Sequence, residues 1–368
     1  MRKGERNSDP RAGDSQGQIA PQPPDDRHPG VGPFEPAWWL RNPHCQTIWN
    51  RLFRRVTGVP TTRARWSTPD GDFMDLDFAD GPRGSPQLLV IHGLEGSSER
   101  QYVRGLLALA VERGWRGVAL NLRSCSGVLN RAKRLYHSGE TEDLDWVVAE
   151  LAKRDPGAPI LPVGVSLGGN VLLKWLGEQG ELAPDEVRAA AAISVPFDLA
   201  AGAARMSRGV GRLYSWFFLR TLKRKALAKA EQYPDTLDVR AIRRARTWRQ
   251  YDDAATAPLH GFADAAEYWS ACSSGSFLSG IRRPTLLIGA RDDPFVPEFS
   301  LPVEETAHSD WLHSEFTERG GHVGFVGGTL PWRPTYWAER RAVEFLAEYV
   351  PSIRPYRKPA SRLWRSPL

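Results

Sequence analysis

Short strand-like runs recur along the chain at Gln87–His92, Gly117–Asn121, Ile160–Val165, Ala190–Ser194, Thr285–Ala290 and Ser314–Thr317. Helical patterns separate them, and this alternation predicts crossover connections feeding a mainly parallel sheet of the α/β class. Each run leads into a loop carrying unusual residues. Open α/β sheets place their ligands beyond the carboxyl ends of the strands, so chemistry is sought first in those loops. From about Leu199 to Arg283 the alternation breaks, and a basic, aromatic, helix-like region containing Trp216, Phe217, Phe218 and Trp248 takes its place. This region, about 199–283, reads as a helical cap inserted between two strands.

The two ends of the chain lack that patterning. Residues 1–33 are polar and rich in proline, glycine and aspartate, with too little apolar surface to offset the entropy of ordering, which predicts a disordered extension. The main domain is expected over 34–350, opening with the aromatic cluster Phe34, Trp38 and Trp39. Residues 351–368 read as a basic tail, because Arg354 to Leu368 repeats prolines and cations without periodicity. Composition supports a large core between these ends: of the 368 residues 41% are apolar, and 14 are tryptophan.

Cys45, Cys125 and Cys272 are odd in number and widely separated, with no partner at metal-ligand spacing, so free thiols are expected. Together with the missing secretory h-region this predicts a cytoplasmic protein. No stretch approaches the ~18 to 20 continuous apolar residues that cross a bilayer, which leaves peripheral contact with an anionic membrane as the expected form of any lipid association. Part of the formal charge of +6 lies in Lys223-Arg224-Lys225 and in Arg240, Arg243, Arg244, Arg246 and Arg249. These cations suit anionic lipid or a solvated helix face, and nucleic acid is not an expected partner.

Gly164-Val165-Ser166-Leu167-Gly168 fits G-x-S-x-G, between the strand Ile160–Val165 and the helix-like Asn170–Gly177. That context suits a sharp strand-to-helix turn which strains the serine and projects its hydroxyl into a cleft. A serine hydroxyl stays protonated at neutral pH without a base. His322 is the candidate base, in the glycine-rich Arg319-Gly320-Gly321-His322-Val323-Gly324-Phe325. Asp293, directly after the strand Thr285–Ala290 in Arg291-Asp292-Asp293-Pro294-Phe295-Val296-Pro297, is the candidate acid, with Asp292 as the alternative. The order Ser, acid, His then holds along the chain. His137 precedes the serine and suits a surface or hydrogen-bonded structural role.

Acyl transfer also needs donors aimed at a developing oxyanion. The backbone N–H of Leu167, after the serine, and that of Leu94, in His92-Gly93-Leu94-Glu95-Gly96, are the candidates. Glu95 is expected to pair with Arg100, Arg104 or Arg123 as a structural carboxylate. Trp216, Phe217, Phe218 and Trp269 are candidates to line an apolar acyl pocket, with plain core as the alternative. Neither H-E-x-x-H spacing nor a G-x-G-x-x-G after the first strand is present, so no metal and no cofactor are expected.

Several blocks in order resemble the YheT-type subfamily of α/β-hydrolase fold proteins, which is related to the ABHD-type lipid esterases of animals. They are Asn42-Pro43-His44-Cys45-Gln46-Thr47, His92-Gly93-Leu94-Glu95-Gly96-Ser97-Ser98, Asn121-Leu122-Arg123-Ser124-Cys125-Ser126-Gly127, the serine turn, and Ala290 to Pro297. Tyr136-His137-Ser138-Gly139 with Asp143-Leu144, and Leu259-His260-Gly261-Phe262 with Tyr268-Trp269, agree. The resemblance covers about Trp38 to Val350 and leaves both ends of the chain outside. It implies an α/β-hydrolase fold, a triad of Ser166, Asp293 and His322, and hydrolysis of carboxylic esters, including short acyl esters and acylglycerols. The alternatives are acyl transfer to an alcohol or amine on the same triad, or a non-catalytic lipid- or nucleic-acid-binding role, against which the intact triad and oxyanion loops argue.

Overall fold

The computed structural model describes residues 31–351. Eight strands make one sheet: β1 (Thr62–Ser67), β2 (Phe73–Ala79), β3 (Gln87–Ile91), β4 (Arg116–Asn121), β5 (Ile160–Val165), β6 (Ala190–Ile193), β7 (Thr285–Ala290) and β8 (Leu312–Thr317). Their order is β1-β2-β4-β3-β5-β6-β7-β8. From β4 through β8 every neighbouring pair is parallel, whereas β1 and β2 add an antiparallel edge. Helix α1 (Pro43–Leu52) precedes the sheet, and the crossover helices are α2 (Gln101–Glu112), α3 (Glu142–Arg154) and α4 (Leu167–Gln179).

The strands β3, β5, β6 and β7 are buried along their whole length, which is why they read as continuous apolar runs. Alternate side chains feed opposite cores. Leu89 and Ile91 meet residues of α3 and α4 on one face, while Leu88 and Val90 meet α2 and the last helix on the other.

Two of the eight strands went unread in the sequence, and the reason is electrostatic. β2 buries Asp75 and Asp77 among Met74 and Leu76, a pattern unlike an apolar strand. In register, Arg65 lies opposite Asp75 and Arg63 opposite Asp77. Each arginine makes a two-pronged contact, at 2.8 and 2.8 Å for Arg65 and at 2.9 and 2.8 Å for Arg63. The charges of β2 are thus matched only once β1 pairs with it. β8 also begins earlier than its predicted start at Ser314, at Leu312.

Between β6 and β7 run α5 (Leu199–Met206), α6 (Gly211–Gln232), α7 (Val239–Arg244), α8 (Trp248–Tyr251), α9 (Ala257–His260) and α10 (Ala265–Cys272). They carry a core of their own, with Leu219, Leu222 and Ala226 of α6 against Ile242, Trp248 and Tyr251. After β7 come α11 (Val303–Ala307) and α12 (Trp337–Ala347). Val31 and Gly32, which the sequence reading left in the N-terminal extension, are tied to α12: Val31 N–H donates to Glu344 at 2.8 Å, and Trp337 Nε1 donates to the Gly32 carbonyl at 2.7 Å. The rest of the expected extension and nearly all of the basic tail lie outside the described residues. Cys45, Cys125 and Cys272 are free. Among the described residues no helix is long and apolar enough to cross a membrane.

Beneath the β2 edge lies a buried ionic cluster. Arg123, at the end of β4, donates to Asp143 of α3 at 2.7 and 2.6 Å and to Asp72 at 2.5 Å. Asn130 donates to the same Asp72 oxygen at 2.6 Å. Without Arg123, Asp72 is left buried with no cation and Asp143 keeps only Arg134 at 3.3 Å, and an uncompensated buried charge costs far more than the net worth of a pair, so Arg123→Met is expected to destabilise the fold by about 3–5 kcal/mol in urea denaturation. A change below about 1 kcal/mol would mean that water reaches the two carboxylates.

Candidate active site

β5 ends at Val165 and α4 starts at Leu167, so Ser166 alone makes the turn, at φ 54° and ψ −121°. A left-handed φ strains any residue but glycine and persists only where the surroundings over-determine it. Here they do. Ser166 N–H donates to the Ile193 carbonyl of β6 at 2.8 Å, and the Ser166 carbonyl accepts from Gly169 and Asn170 N–H at 2.9 and 3.0 Å. Gly168 lies against the end of β3, where a Cβ would sit 2.6 Å from the His92 carbonyl oxygen. Only glycine lets α4 begin so close to that strand.

The structure brings Ser166, His322 and Asp293 together. His322 Nε2 lies 2.9 Å from Ser166 Oγ, and its Nδ1 lies 2.8 Å from Asp293 Oδ2. A carboxylate accepts, so Nδ1 carries the hydrogen and the Nε2 lone pair faces the serine hydroxyl. Asp293 is buried, and its other oxygen accepts from the N–H groups of Phe295 and Val296 at 2.7 and 3.2 Å. Asp292 faces another way: it accepts from Gly321 N–H at 2.9 Å, and burial raises its pKa. Of the two neighbouring acids, Asp293 meets the imidazole and Asp292 steadies the loop that carries it.

That loop is clamped from α1. Thr47 Oγ1 accepts from His322 N–H at 2.9 Å and donates to the Pro43 carbonyl at 2.7 Å. Gln46 is buried, donating to the carbonyls of Leu40 and Val326 at 2.8 and 3.0 Å and accepting from Val326 N–H at 2.7 Å. Asn50 Nδ2 reaches the Val323 carbonyl at 2.7 Å, and Ser194 Oγ accepts from Val323 N–H at 3.0 Å. Val323 has φ 58°, a conformation that β-branched residues rarely adopt, and these bonds hold it. The sequence reading assigned none of these residues a role. The available signal was a set of polar side chains facing inward on a helix otherwise rich in aromatic and apolar residues.

Leu94 and Leu167 both border the cleft beside Ser166. Among the described hydrogen bonds of loops and caps neither of their N–H groups takes part, while the flanking Gly93 and Glu95 N–H groups donate to the hydroxyls of Tyr102 and Tyr136 at 3.0 and 2.9 Å. His92 bridges this loop to β4, with Nε2 accepting from Leu122 N–H at 3.2 Å and Nδ1 2.8 Å from the Gly93 carbonyl. The expected arginine partners of Glu95 are corrected. Its carboxylate pairs with Lys225 of α6 at 2.7 Å and accepts from Tyr136 OH at 2.8 Å. Arg100 meets only the Glu95 carbonyl at 2.5 Å, Arg104 pairs with Glu99, and Arg123 belongs to the ionic cluster under β2. Lys225 is therefore turned inward, away from any lipid-facing surface.

Ser166 and His322 open onto a cavity of about 700 Å³. Trp216, Phe217, Phe218 and Trp269 all line it, joined by Trp248 and Phe295. His137, the rival base, lies in the same cavity wall, where its Nδ1 accepts from Gly139 N–H at 3.1 Å. It belongs to the one group among the described residues with three ligand-type atoms close together, His137, Glu140 and His260, within 4.8 Å. Glu140 already accepts from Arg134 at 3.2 and 3.3 Å, so a cation occupies the place beside that carboxylate.

A profile of the α/β hydrolase fold family matches residues 86–328, and the chain belongs to that family. Within it the similarity is to the YheT-type branch: the chain is 42% identical over 322 residues to YheT of Escherichia coli (strain K12), covering 86% of this chain and 94% of that protein. It is 29% identical over 312 residues to Phospholipase ABHD3 of Mus musculus, covering 82% of this chain and 75% of the relative. It is 31% identical over 291 residues to Monoacylglycerol lipase of Saccharomyces cerevisiae, covering 77% of this chain and 62% of the relative. A solved esterase of Pyrococcus furiosus shares the fold, with TM-score 0.53 and 18% identity over 80% of this chain and 97% of that one.

Burial pushes His92, beneath the loop that carries Leu94, and His260, in the cavity wall, down to about 4. In the unfolded chain each titrates near about 6.5. Between these values the unfolded state binds protons that the folded state refuses, so their contribution is fully present above about 6.5 and is lost as pH falls toward 4. From pH about 7 to about 5, His260→Phe should therefore lose less stability than wild type, read as the change in urea midpoint across that range. An equal loss in the variant would show that His260 takes up its proton in the folded protein.

Proposed function

We propose that this protein is a serine hydrolase that cleaves carboxylic esters through an acyl-enzyme, with short acyl esters or acylglycerols as the substrate class. The observation that carries the reading is the continuous line from Asp293 Oδ2 through His322 to Ser166 Oγ, with spacings of 2.8 and 2.9 Å, at the wall of an aromatic-lined cavity. A strained serine with a histidine lone pair aimed at its hydroxyl is the constellation that acyl transfer requires. The names of the phospholipase and monoacylglycerol lipase relatives support an ester substrate with lipid character.

In this mechanism Ser166 Oγ attacks the ester carbonyl carbon while its proton passes to His322 Nε2. Asp293 stabilises the resulting imidazolium through the Nδ1 hydrogen. The carbonyl oxygen becomes an oxyanion, for which the Leu94 and Leu167 N–H groups are the proposed donors. Collapse breaks the ester C–O bond, and His322 returns the proton to the departing alkoxide. A water molecule then gives a proton to His322 and attacks the acyl-enzyme. The carboxylic acid leaves, and the same proton restores the Ser166 hydroxyl. Neither metal nor organic cofactor takes part in this sequence.

Ser166→Ala is expected to abolish labelling by a fluorescent fluorophosphonate and to lower p-nitrophenyl ester hydrolysis by about 10⁴-fold or more, with an unchanged melting profile. Asp293→Asn should lower kcat by about 10⁴-fold as well, because an amide favours the wrong histidine tautomer, while Asp292→Asn should cost far less. Retained labelling in Ser166→Ala, or a larger loss in Asp292→Asn than in Asp293→Asn, would overturn the assignment.

A further inference from the structure

The mouth of the cavity is apolar where solvent would favour polar groups. At the end of α1, Leu52 is 51% exposed and Phe53 63%; at the start of α6, Leu213 is 65% exposed and Trp216 59%. Exposed apolar side chains scattered singly need no explanation, but these form one rim. The two helices touch: the Arg51 guanidinium sits 4.4 Å from the centre of the Phe217 ring, and His44 Nδ1 lies 3.3 Å from Tyr214 OH. Ile48, Arg51, Leu213, Trp216 and Phe217 of this rim also line the cavity that reaches Ser166.

On the α1 and α6 sides of the rim the charge has one sign. No Asp or Glu occurs from Pro36 to Pro69 or from Leu199 to Ala230, the segments that supply α1, α5 and most of α6. Arg51, Arg55, Arg208, Arg212 and Arg220 are exposed there, and among the described residues none of the five makes an ion pair. Arg220 stands 5.9 Å from the centre of the Trp216 ring. Tryptophan and phenylalanine at the tip with arginine behind them are the side chains that settle at the boundary between headgroups and acyl chains.

We propose that this rim docks on an anionic lipid bilayer, with Leu52, Phe53, Leu213 and Trp216 entering the headgroup boundary and the arginines facing acidic headgroups. The inference rests on the ester-hydrolase reading, which gives the geometry its use: a water-insoluble ester passes from bilayer to cavity without crossing water. Charge decides the occupant. A protein partner or second copy would have to supply a carboxylate-rich, apolar face, whereas the α1 and α6 sides of this chain's own rim carry only cations, and Glu99, the exposed carboxylate of the cavity wall, is already paired with Arg104. The surface also differs from the cationic runs marked in the sequence, since Lys225 is turned inward and paired with Glu95 and Lys223 donates to the Arg243 carbonyl at 2.9 Å.

The test is co-sedimentation of the full chain with vesicles of phosphatidylcholine alone and of phosphatidylcholine containing roughly one third phosphatidylglycerol. Wild type should bind the anionic vesicles and not the neutral ones. Arg208→Glu, Arg212→Glu and Arg220→Glu combined should bind roughly 100-fold more weakly, each cation contributing separately, while hydrolysing a soluble short-chain ester at the wild-type rate. Leu52→Ser with Val210→Ser, the latter 51% exposed on the residue just before α6, should weaken binding without altering its salt dependence. Wild type that ignores anionic vesicles, binding unchanged in the triple variant, or self-association that buries the rim without lipid would each overturn the proposal. Vesicle binding is also read in Ser166→Ala. Binding without any ester hydrolysis in wild type would sink the enzymatic reading alone, and hydrolysis without binding would sink the docking surface alone.

Discussion

The turn at Ser166 is the constraint on which the site depends. The serine has its left-handed backbone because β5 runs into α4 with no intervening loop, and α4 can begin there only because Gly168 lies directly on the carbonyl end of β3. β3 in turn continues into the loop that carries Leu94. The turn at Ser166 and the candidate oxyanion loop are therefore set by a single backbone contact. A shift of either element moves the hydroxyl and the neighbouring N–H together. The cost of the strained conformation is met by the hydrogen bonds around it, which run to β6 and into α4.

The histidine reaches this turn by a different route. His322 stands on a loop with two further non-glycine residues in the left-handed region, Val323 and Phe325, and no helix or strand fixes its course. Its support comes from α1, hundreds of positions earlier in the chain, through Gln46, Thr47 and Asn50. Gly321 packs so closely under α1 that a Cβ would lie 2.5 Å from the Pro43 carbonyl. The end of α1 is in turn anchored where Arg54 pairs with Glu339 of α12 inside the protein. The helix before the sheet thus belongs to the site although it bears none of the candidate catalytic residues.

This division explains what could be read in the sequence and what could not. β5 and β7 were legible to the residue because strands covered on both faces are continuous apolar runs, and Ser166, Asp293 and His322 were legible because strained turns and strand ends demand distinctive local residues. β1 and β2 were not, since Asp75 and Asp77 make sense only beside Arg65 and Arg63 on the partner strand. The partner of Glu95 was missed for the same reason. Nearby arginines were the local candidates, but the cation that reaches it belongs to α6, 130 positions away. Polar residues inside a fold are read correctly only with their partners, and those partners are set by topology rather than by proximity in sequence.

The Glu95–Lys225 pair also joins the loop beside the serine to α6, which Lys229 ties further to the carbonyls of Asn130 and Ala132 at 2.7 and 2.6 Å. Tyr136 accepts the Glu95 N–H and donates to the Glu95 carboxylate, so the backbone next to Leu94 is held from both ends of one residue. Lys225 completes the arrangement from α6, the same helix whose first turns form the cavity mouth. Its two ends of contact are therefore mechanically related: a rigid helix of 22 residues cannot tilt at Leu213 and Trp216 without moving Lys225 relative to Glu95. What bears on the mouth reaches the loop beside the serine through this ion pair and through Leu94, which packs against the same helical core.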